Sequence, residues 1–216
     1  MKKSIWRDRV QSLGEEIANS ISHGVGLAGA IAVTPIMIVV ASRSTGAKGI
    51  VAASIFGATM IIMYLMSTLY HALPESRAKR VFNVLDHSAI YVLIAGTYTP
   101  FTLVVLGGGW GWSLFGVIWG LAVAGILFKS IGGLRYPMLS NIVYLAMGWL
   151  IIIAIKPLSD HVPIWGIVWL GAGGIAYTLG VAFFAASGLR YSHLIWHLFV
   201  LAGTTFHFIA VLMYAI

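Results

Sequence analysis

Seven stretches of apolar residues dominate this chain, each long enough to cross a hydrocarbon core of about 30 Å as a helix. They fall near 19–41, 49–71, 85–106, 112–130, 137–155, 163–186 and 193–214. Their unbroken apolar character excludes a porin-like barrel, whose strands alternate apolar with polar residues. Composition agrees, since charged residues make up only 9% of the chain and apolar ones 60%. Ordinary globular chains carry roughly 25% charge. So little polar surface cannot coat a water-soluble globule of 216 residues, and the solvent must be lipid. The connections are short and carry turn chemistry, as at 107–109, 132–133 and Lys156-Pro157, which leaves no room for a second domain. The expected fold is an all-α integral membrane protein, a seven-transmembrane helix bundle over 19–216 behind an amphipathic segment over 1–18.

In that first segment Trp6, Val10, Leu13 and Ile17 recur at helical spacing, with Arg7, Asp8, Arg9 and Glu15 on the other faces. A short helix lying in the membrane interface is expected. An odd number of spans puts the termini on opposite sides, so basic residues can be tallied by face. Ten fall on the N-terminal face, including Lys2, Lys3, Arg7, Arg77 and Arg80, against three on the other, Arg43, Lys48 and Lys156. The excess places the N-terminus in the cytoplasm and the C-terminus outside, in a bacterial inner (plasma) membrane crossed several times. Tryptophans at both expected interfaces agree, among them Trp110, Trp112 and Trp165 outside and Trp196 inside. Basic residues scattered between apolar blocks exclude a nucleic-acid partner. Membrane lipids and a lipid-like substrate or ligand are the expected partners, and the oligomeric state is not specified by these residues.

Glycines should serve close helix packing. Gly116 and Gly120 form a small-xxx-small pair, and Gly171, Gly173 and Gly174 a second small patch. Pro35 and Pro100 should kink their spans.

No cysteine is present, which removes disulfides, thiolate nucleophiles and Cys-based metal sites. A metal would have to sit on histidine and carboxylate. The ionisable residues at span ends are therefore the informative ones. His71 closes the second span, Asp86 opens the third, and His193 and His197 open the seventh, all at the same membrane depth. His193 and His197 stand at i and i+4, on one helical face with about 6 Å of rise between them. Ser67 and His71 repeat that relation. Three imidazoles would leave a fourth zinc position open for water, the arrangement of catalytic rather than structural sites, with Asp86 a candidate to orient or deprotonate that water. The competing reading is a metal-free network of buried histidine and aspartate. Glu16, Asn19 and His23 form a polar ladder at the start of the first span, suited either to supporting the site from a cavity wall or to capping and interhelical bonding. His207 lies about 15 Å deeper than His197, too far to share its ion, and is expected to line a polar channel or bond to another helix. His87 and the loop residues Glu75 to Arg80 are expected to be ordinary polar residues.

Four motifs carry a resemblance: Glu16-x2-Asn19-x3-His23, Ser67-x3-His71, His193-x3-His197, and the run from Leu85 to Phe101, Leu-Asp-His-Ser-Ala-Ile-Tyr-Val-Leu-Ile-Ala-Gly-Thr-Tyr-Thr-Pro-Phe. In order and combination they resemble the bacterial hemolysin III family, part of the PAQR group with the adiponectin and progestin receptors, and of a wider superfamily that includes alkaline ceramidases. The resemblance implies a seven-helix bundle with its N-terminus inside and Zn2+ near the cytoplasmic face. It implies that His71, His193 and His197 are the ligands, that Asp86 contacts the zinc-bound water, and that Ser67 supports the site. Against the eukaryotic receptors the His-to-Asp connection is slightly shorter, which opens Asp86 to direct ligation, and no long N-terminal domain is expected. Three functions follow as expectations. The first is a zinc-dependent hydrolase of a lipid amide or ester linked to membrane lipid homeostasis, with Asp86 and Ser67 catalytic. The second is a non-enzymatic sensor or regulator stabilised by zinc, and the third is a pore-forming cytolysin, suggested by the family name.

Overall fold

The computed structural model describes residues 9–216. Among the described residues there are eight α-helices: α1 (Leu13–Ser44), α2 (Gly46–Ala72), α3 (Arg77–Pro100), α4 (Gly108–Ser130), α5 (Pro137–Trp149), α6 (Ile155–Ser159), α7 (Ile164–Ala185) and α8 (Ser192–Tyr214). Two of the spans are composite. A π-helix, Phe101–Leu106, continues α3, and a 3-10 stretch, Leu150–Ala154, joins α5 to α6. Seven stretches are thus long and apolar enough to cross a membrane, and the described residues contain no strand. The protein is a seven-transmembrane all-α bundle of the expected kind.

Local chemistry sets the helix ends. Glu15, in the first turn of α1, accepts hydrogen bonds from the Ser12 backbone N–H (3.0 Å) and hydroxyl (2.9 Å), so the helix starts at Leu13 rather than at 19. Of the interfacial helix expected over 1–18, Trp6 and the early basic residues lie outside the described residues. Within them, 9–12 are not helical and 13–18 are the first turns of α1 itself. Val10, Leu13 and Ile17 are exposed, on the outside of the bundle. Ser76 caps α3 by accepting from the Lys79 backbone N–H at 3.1 Å, which begins that helix eight residues earlier (85 − 77) than hydropathy alone suggests. Pro137 occupies the first turn of α5, where its missing N–H costs nothing. Past 155 the fifth span runs on to Ser159, because Pro157 sits in the first turn of α6 and leaves its bonds intact.

Pro35 is absorbed within α1, where the helical assignment is continuous. At Pro100 the helix widens instead, since proline offers no N–H and the next turns shift to π bonding. The hydroxyls of Thr99 and Thr102 bond to Ala95 O (3.0 Å) and Tyr98 O (3.0 Å), keeping this region satisfied.

α1 packs against both α2 and α8, so the first and last spans close the bundle; α2–α3, α3–α4 and α7–α8 are the other extensive contacts, and α5 touches α3, α4 and α7. The core holds Phe56, Met60, Met63, Val200 and Val211, while large apolar residues such as Ile153 and Ile175 face outward, as a lipid solvent requires.

The glycine expectation is only partly met. Nothing lies within 4 Å of a side chain built at Gly116, Gly120 or Gly171, so these face open space rather than a neighbouring helix. A Cβ at Gly173 would meet the His207 ring at 2.2 Å, and one at Gly125 would meet the Tyr91 ring at 2.5 Å. The α3–α4 approach therefore rests on Gly125, one to two turns beyond the predicted pair. Gly125→Ala should destabilise the protein by about 1–3 kcal/mol through overpacking against buried Tyr91, whereas Gly116→Ala should stay within about 0.5 kcal/mol of wild type. Thermal unfolding in detergent checks the contrast.

Candidate metal centre

α2 delivers His71 in its last turn and α8 delivers His193 and His197 in its first two, because α1 brings both helices to the end of the bundle where its own N-terminus lies. The His71 ring centroid is 5.0 Å from that of His193 and 5.1 Å from that of His197, and the latter two are 4.7 Å apart. One ring nitrogen of each lies within 4.8 Å of the other two, a cluster able to hold one metal ion.

Hydrogen bonds decide which nitrogens face the cluster. His71 Nδ1 is 2.7 Å from Glu16 Oε2. An ionised carboxylate only accepts, so Nδ1 carries the hydrogen and Nε2 is left with its lone pair. His197 Nδ1 is 3.2 Å from the Asn19 carbonyl and 3.0 Å from Ser22 Oγ, whose own hydroxyl donates to that carbonyl at 2.8 Å. It too is held as the donor, leaving Nε2 as the ligand atom. Nε2 of His71 and Nε2 of His193 are buried with no protein partner. A buried unpaired nitrogen costs about 1–3 kcal/mol, so a closed metal-free network describes this cluster poorly. Neutral imidazoles whose other nitrogen is tied to a carboxylate or carbonyl are what a metal site uses. The donor set therefore fits a metal ion. Three imidazoles suit zinc, copper, iron or nickel.

Glu16 does more than orient His71. Its Oε1 is 3.2 Å from Lys79 Nζ, and that ammonium donates to the carbonyls of Tyr70 (3.2 Å) and Leu73 (3.1 Å) and lies 4.9 Å from the Tyr70 ring centroid. These carbonyls close α2, where the helix dipole favours a cation. Lys79 is thus buried and braces the end of the helix that carries His71, rather than lying in a solvated loop as its sequence neighbours suggest. The available signal was its position in the first turn of α3, where a cation is locally unfavourable and needs a partner elsewhere.

The other candidate residues divide. Ser67, one turn before His71, is buried with an unpartnered hydroxyl. His23 stacks on His197 with centroids 3.5 Å apart and planes at 7°, and both its nitrogens are buried without partners. The Asn19 side chain donates to Gln11 Oε1 at 2.5 Å while its backbone serves His197. Asp86 is buried between two and three turns into α3 rather than opening it, with Oδ2 3.8 Å from His87 Nδ1, and does not join the three histidines in the cluster. His87 is itself largely buried and its Nδ1 donates to Asn83 O at 2.9 Å. His207 stands apart from the cluster and donates to Leu170 O on α7 at 3.2 Å.

A cavity of about 80 Å³ is lined by residues of α2, α3, α5, α7 and α8, among them Met63, Trp196 and Val200, and by none of the three clustered histidines. A second, of about 210 Å³, continues past Tyr98, Trp149 and His207 toward Leu158.

A family described as haemolysin-III related matches residues 11–208. The chain is 46% identical over 206 residues to Hemolysin-3 of Bacillus cereus, covering 95% of this chain and 94% of that protein. It is 44% identical over 205 residues to the Hemolysin-3 homolog of Bacillus subtilis strain 168, covering 95% and 96%. A more distant similarity, 26% over 170 residues, links it to the human monocyte to macrophage differentiation factor, covering 76% and 70%. No solved structure matches the chain.

If Glu16 fixes the ligating form of His71, Glu16→Gln should weaken metal binding by about 10- to 100-fold while the helical content is retained. Competition against a chelator, with circular dichroism in parallel, checks this.

Proposed function

The chain belongs to the haemolysin-III related family, and from that premise we propose that it is a zinc-dependent hydrolase of a lipid amide or ester. In this reading it works at the cytoplasmic leaflet of a bacterial inner membrane, with its N-terminus inside and its C-terminus outside. The observation that carries the reading is the largely buried cluster of His71, His193 and His197, in which Nε2 of His71 and of His193 has no protein partner. Three imidazoles match the ligand set of catalytic zinc sites, in which a fourth position stays open. Bound zinc supplies Lewis acidity toward a carbonyl oxygen and lowers the pKa of water.

The remaining work falls to the chain. Glu16 and the Asn19 carbonyl hold His71 and His197 in their ligating tautomers. Asp86, a buried carboxylate in the first half of α3, takes the proton of the attacking water at a carboxylate oxygen. The Ser67 hydroxyl, free of protein partners, donates to the substrate. The two cavities support a lipid as the substrate class, because their walls are apolar and the first is lined in part by Trp196, the residue before His197 in the chain. An acyl chain seated there leaves its polar end at the histidine layer, and α5, interrupted beside the cavity, lines the approach. The kinship with ceramidases that the sequence resemblance implies favours an amide.

The purified protein should hold one zinc per chain and lose it in His71→Ala and His193→Ala. Zinc-loaded protein should release fatty acid from ceramide-like amides or phospholipid esters, and Asp86→Asn should keep its metal while slowing release by about 10²- to 10⁴-fold. Absence of release from every lipid offered, together with a cellular phenotype preserved in Asp86→Asn, would overturn hydrolysis. A metal-stabilised regulator is what such a result would leave.

A further inference from the structure

α8 begins in an unusual way. Its N-cap, Tyr191, has φ 58° and ψ 14°, the left-handed region, and no other non-glycine residue among those described has a positive φ. A bulky residue there is strained and persists only where its surroundings impose it. No side chain of its own loop caps the helix. Instead the Tyr191 backbone N–H donates to Glu15 Oε1, on the first turn of α1, at 2.7 Å.

Glu15 is itself locked. Arg9 forks onto both its oxygens, Nη1 donating to Oε2 at 2.8 Å and Nη2 to Oε1, and Nη2 also donates to the Leu189 carbonyl at 3.1 Å. That same carbonyl accepts from the Ser192 backbone N–H at 3.3 Å, while the Tyr191 carbonyl takes the first helical bond of α8, from Ile195, at 3.0 Å. The Tyr191 hydroxyl rests against Gly14, 3.5 Å from where a Cβ would stand. α1 therefore grips the turn through backbone and ring together, and a carboxylate at the positive end of α8 is electrostatically favoured.

The turn matters because it leads directly into His193. That residue lies in the first turn of α8, where helices fray, and its Nε2 has no hydrogen-bond partner to hold the ring. His197, one turn deeper, is tied to Asn19 and Ser22. We propose that Glu15, clasped by Arg9, is a positioning residue that presents His193 to its partner histidines by holding the left-handed turn at Tyr191. This inference rests on the reading of the three histidines as a metal centre.

The test measures Zn2+ affinity by chelator competition, and in metal-free protein the hydrogen exchange of backbone amides over 187–194, for wild type, Glu15→Ala, Glu15→Gln, Tyr191→Gly and the Glu15→Ala/Tyr191→Gly double variant. Glu15→Ala should bind Zn2+ about tenfold or more weakly and exchange faster in that segment. Glu15→Gln, which keeps a carbonyl for the Tyr191 N–H, should lose less and carries the comparison should the alanine variant fail to fold. Glycine adopts the left-handed turn without strain, so Tyr191→Gly should restore part of the affinity lost in Glu15→Ala. Affinity unchanged in Glu15→Ala overturns the inference, and so does a loss that merely tracks a lowered melting temperature with no rescue by glycine. If wild type binds no Zn2+, the metal reading fails, and segment exchange alone decides the clasp: unchanged exchange in Glu15→Ala refutes it and faster exchange upholds it.

Discussion

A polar group stranded in hydrocarbon has no water to turn to, and each one left unpaired costs several kcal/mol. That constraint organises the whole molecule. At the end of the bundle where α1 begins, the carboxylates of the spans are paired: Glu15 with Arg9, Glu16 with His71 and Lys79, Asp86 beside His87. The exceptions are correspondingly informative. Of the ten buried polar side-chain atoms without protein partners among the described residues, six (Asn19 Oδ1, both nitrogens of His23, Ser67 Oγ, and Nε2 of His71 and of His193) belong to one neighbourhood of α1, α2 and α8, while Thr68 Oγ1, Asn83 Oδ1, Ser88 Oγ and His207 Nδ1 are the others. Orphans gathered around three convergent imidazoles describe a pocket prepared for something polar.

The same constraint governs the interruptions of the backbone. α3 opens into a π-helix after Pro100, and α5 passes into a 3-10 stretch after Trp149. Tyr98 answers the second break: its hydroxyl lies 2.8 Å from the Met147 carbonyl and 2.9 Å from that of Gly148, and it accepts from the Ile151 N–H at 2.8 Å. One side chain thus serves backbone groups that a continuous helix would have served itself. Irregular backbone at membrane depth is tolerated where protein covers it or where it lines a cavity. Tyr98, Gly148 and Ile151 all line the apolar cavities inside the bundle. The break and the cavity are therefore one feature of the fold.

Hydropathy made the spans legible, because about 20 apolar residues in a row have few alternatives. The histidine cluster was legible as well, since i, i+4 spacing on α8 and a shared depth for His71 require no knowledge of tertiary contacts. Helix starts were less so: capping by Ser12 and Ser76 carries α1 and α3 past the apolar windows. What escaped sequence reasoning was direction around each helix. Gly116 and Gly120 have the right spacing for close packing but face outward, and nothing in an all-apolar helix says which side meets a neighbour. Lys79 looked solvated because its neighbours are charged, and only the fold brings the end of α2 and Glu16 to its ammonium.

α1 contributes none of the three clustered histidines, yet it contacts both helices that carry them. Consecutive residues on a helix point about 100° apart, so Glu15 and Glu16 address different neighbours from one turn. Glu16 faces α2 and fixes the ring of His71, while Glu15 faces the start of α8 and meets the backbone two residues ahead of His193. One turn further, the Asn19 carbonyl and Ser22 take the Nδ1 of His197. The three histidines come from two helices that the chain separates by more than a hundred residues, and each half is referenced to the same rigid rod. A rotation of α1 would disturb all three together, so its polar ladder, Glu16, Asn19 and His23, is part of the same arrangement as the imidazoles.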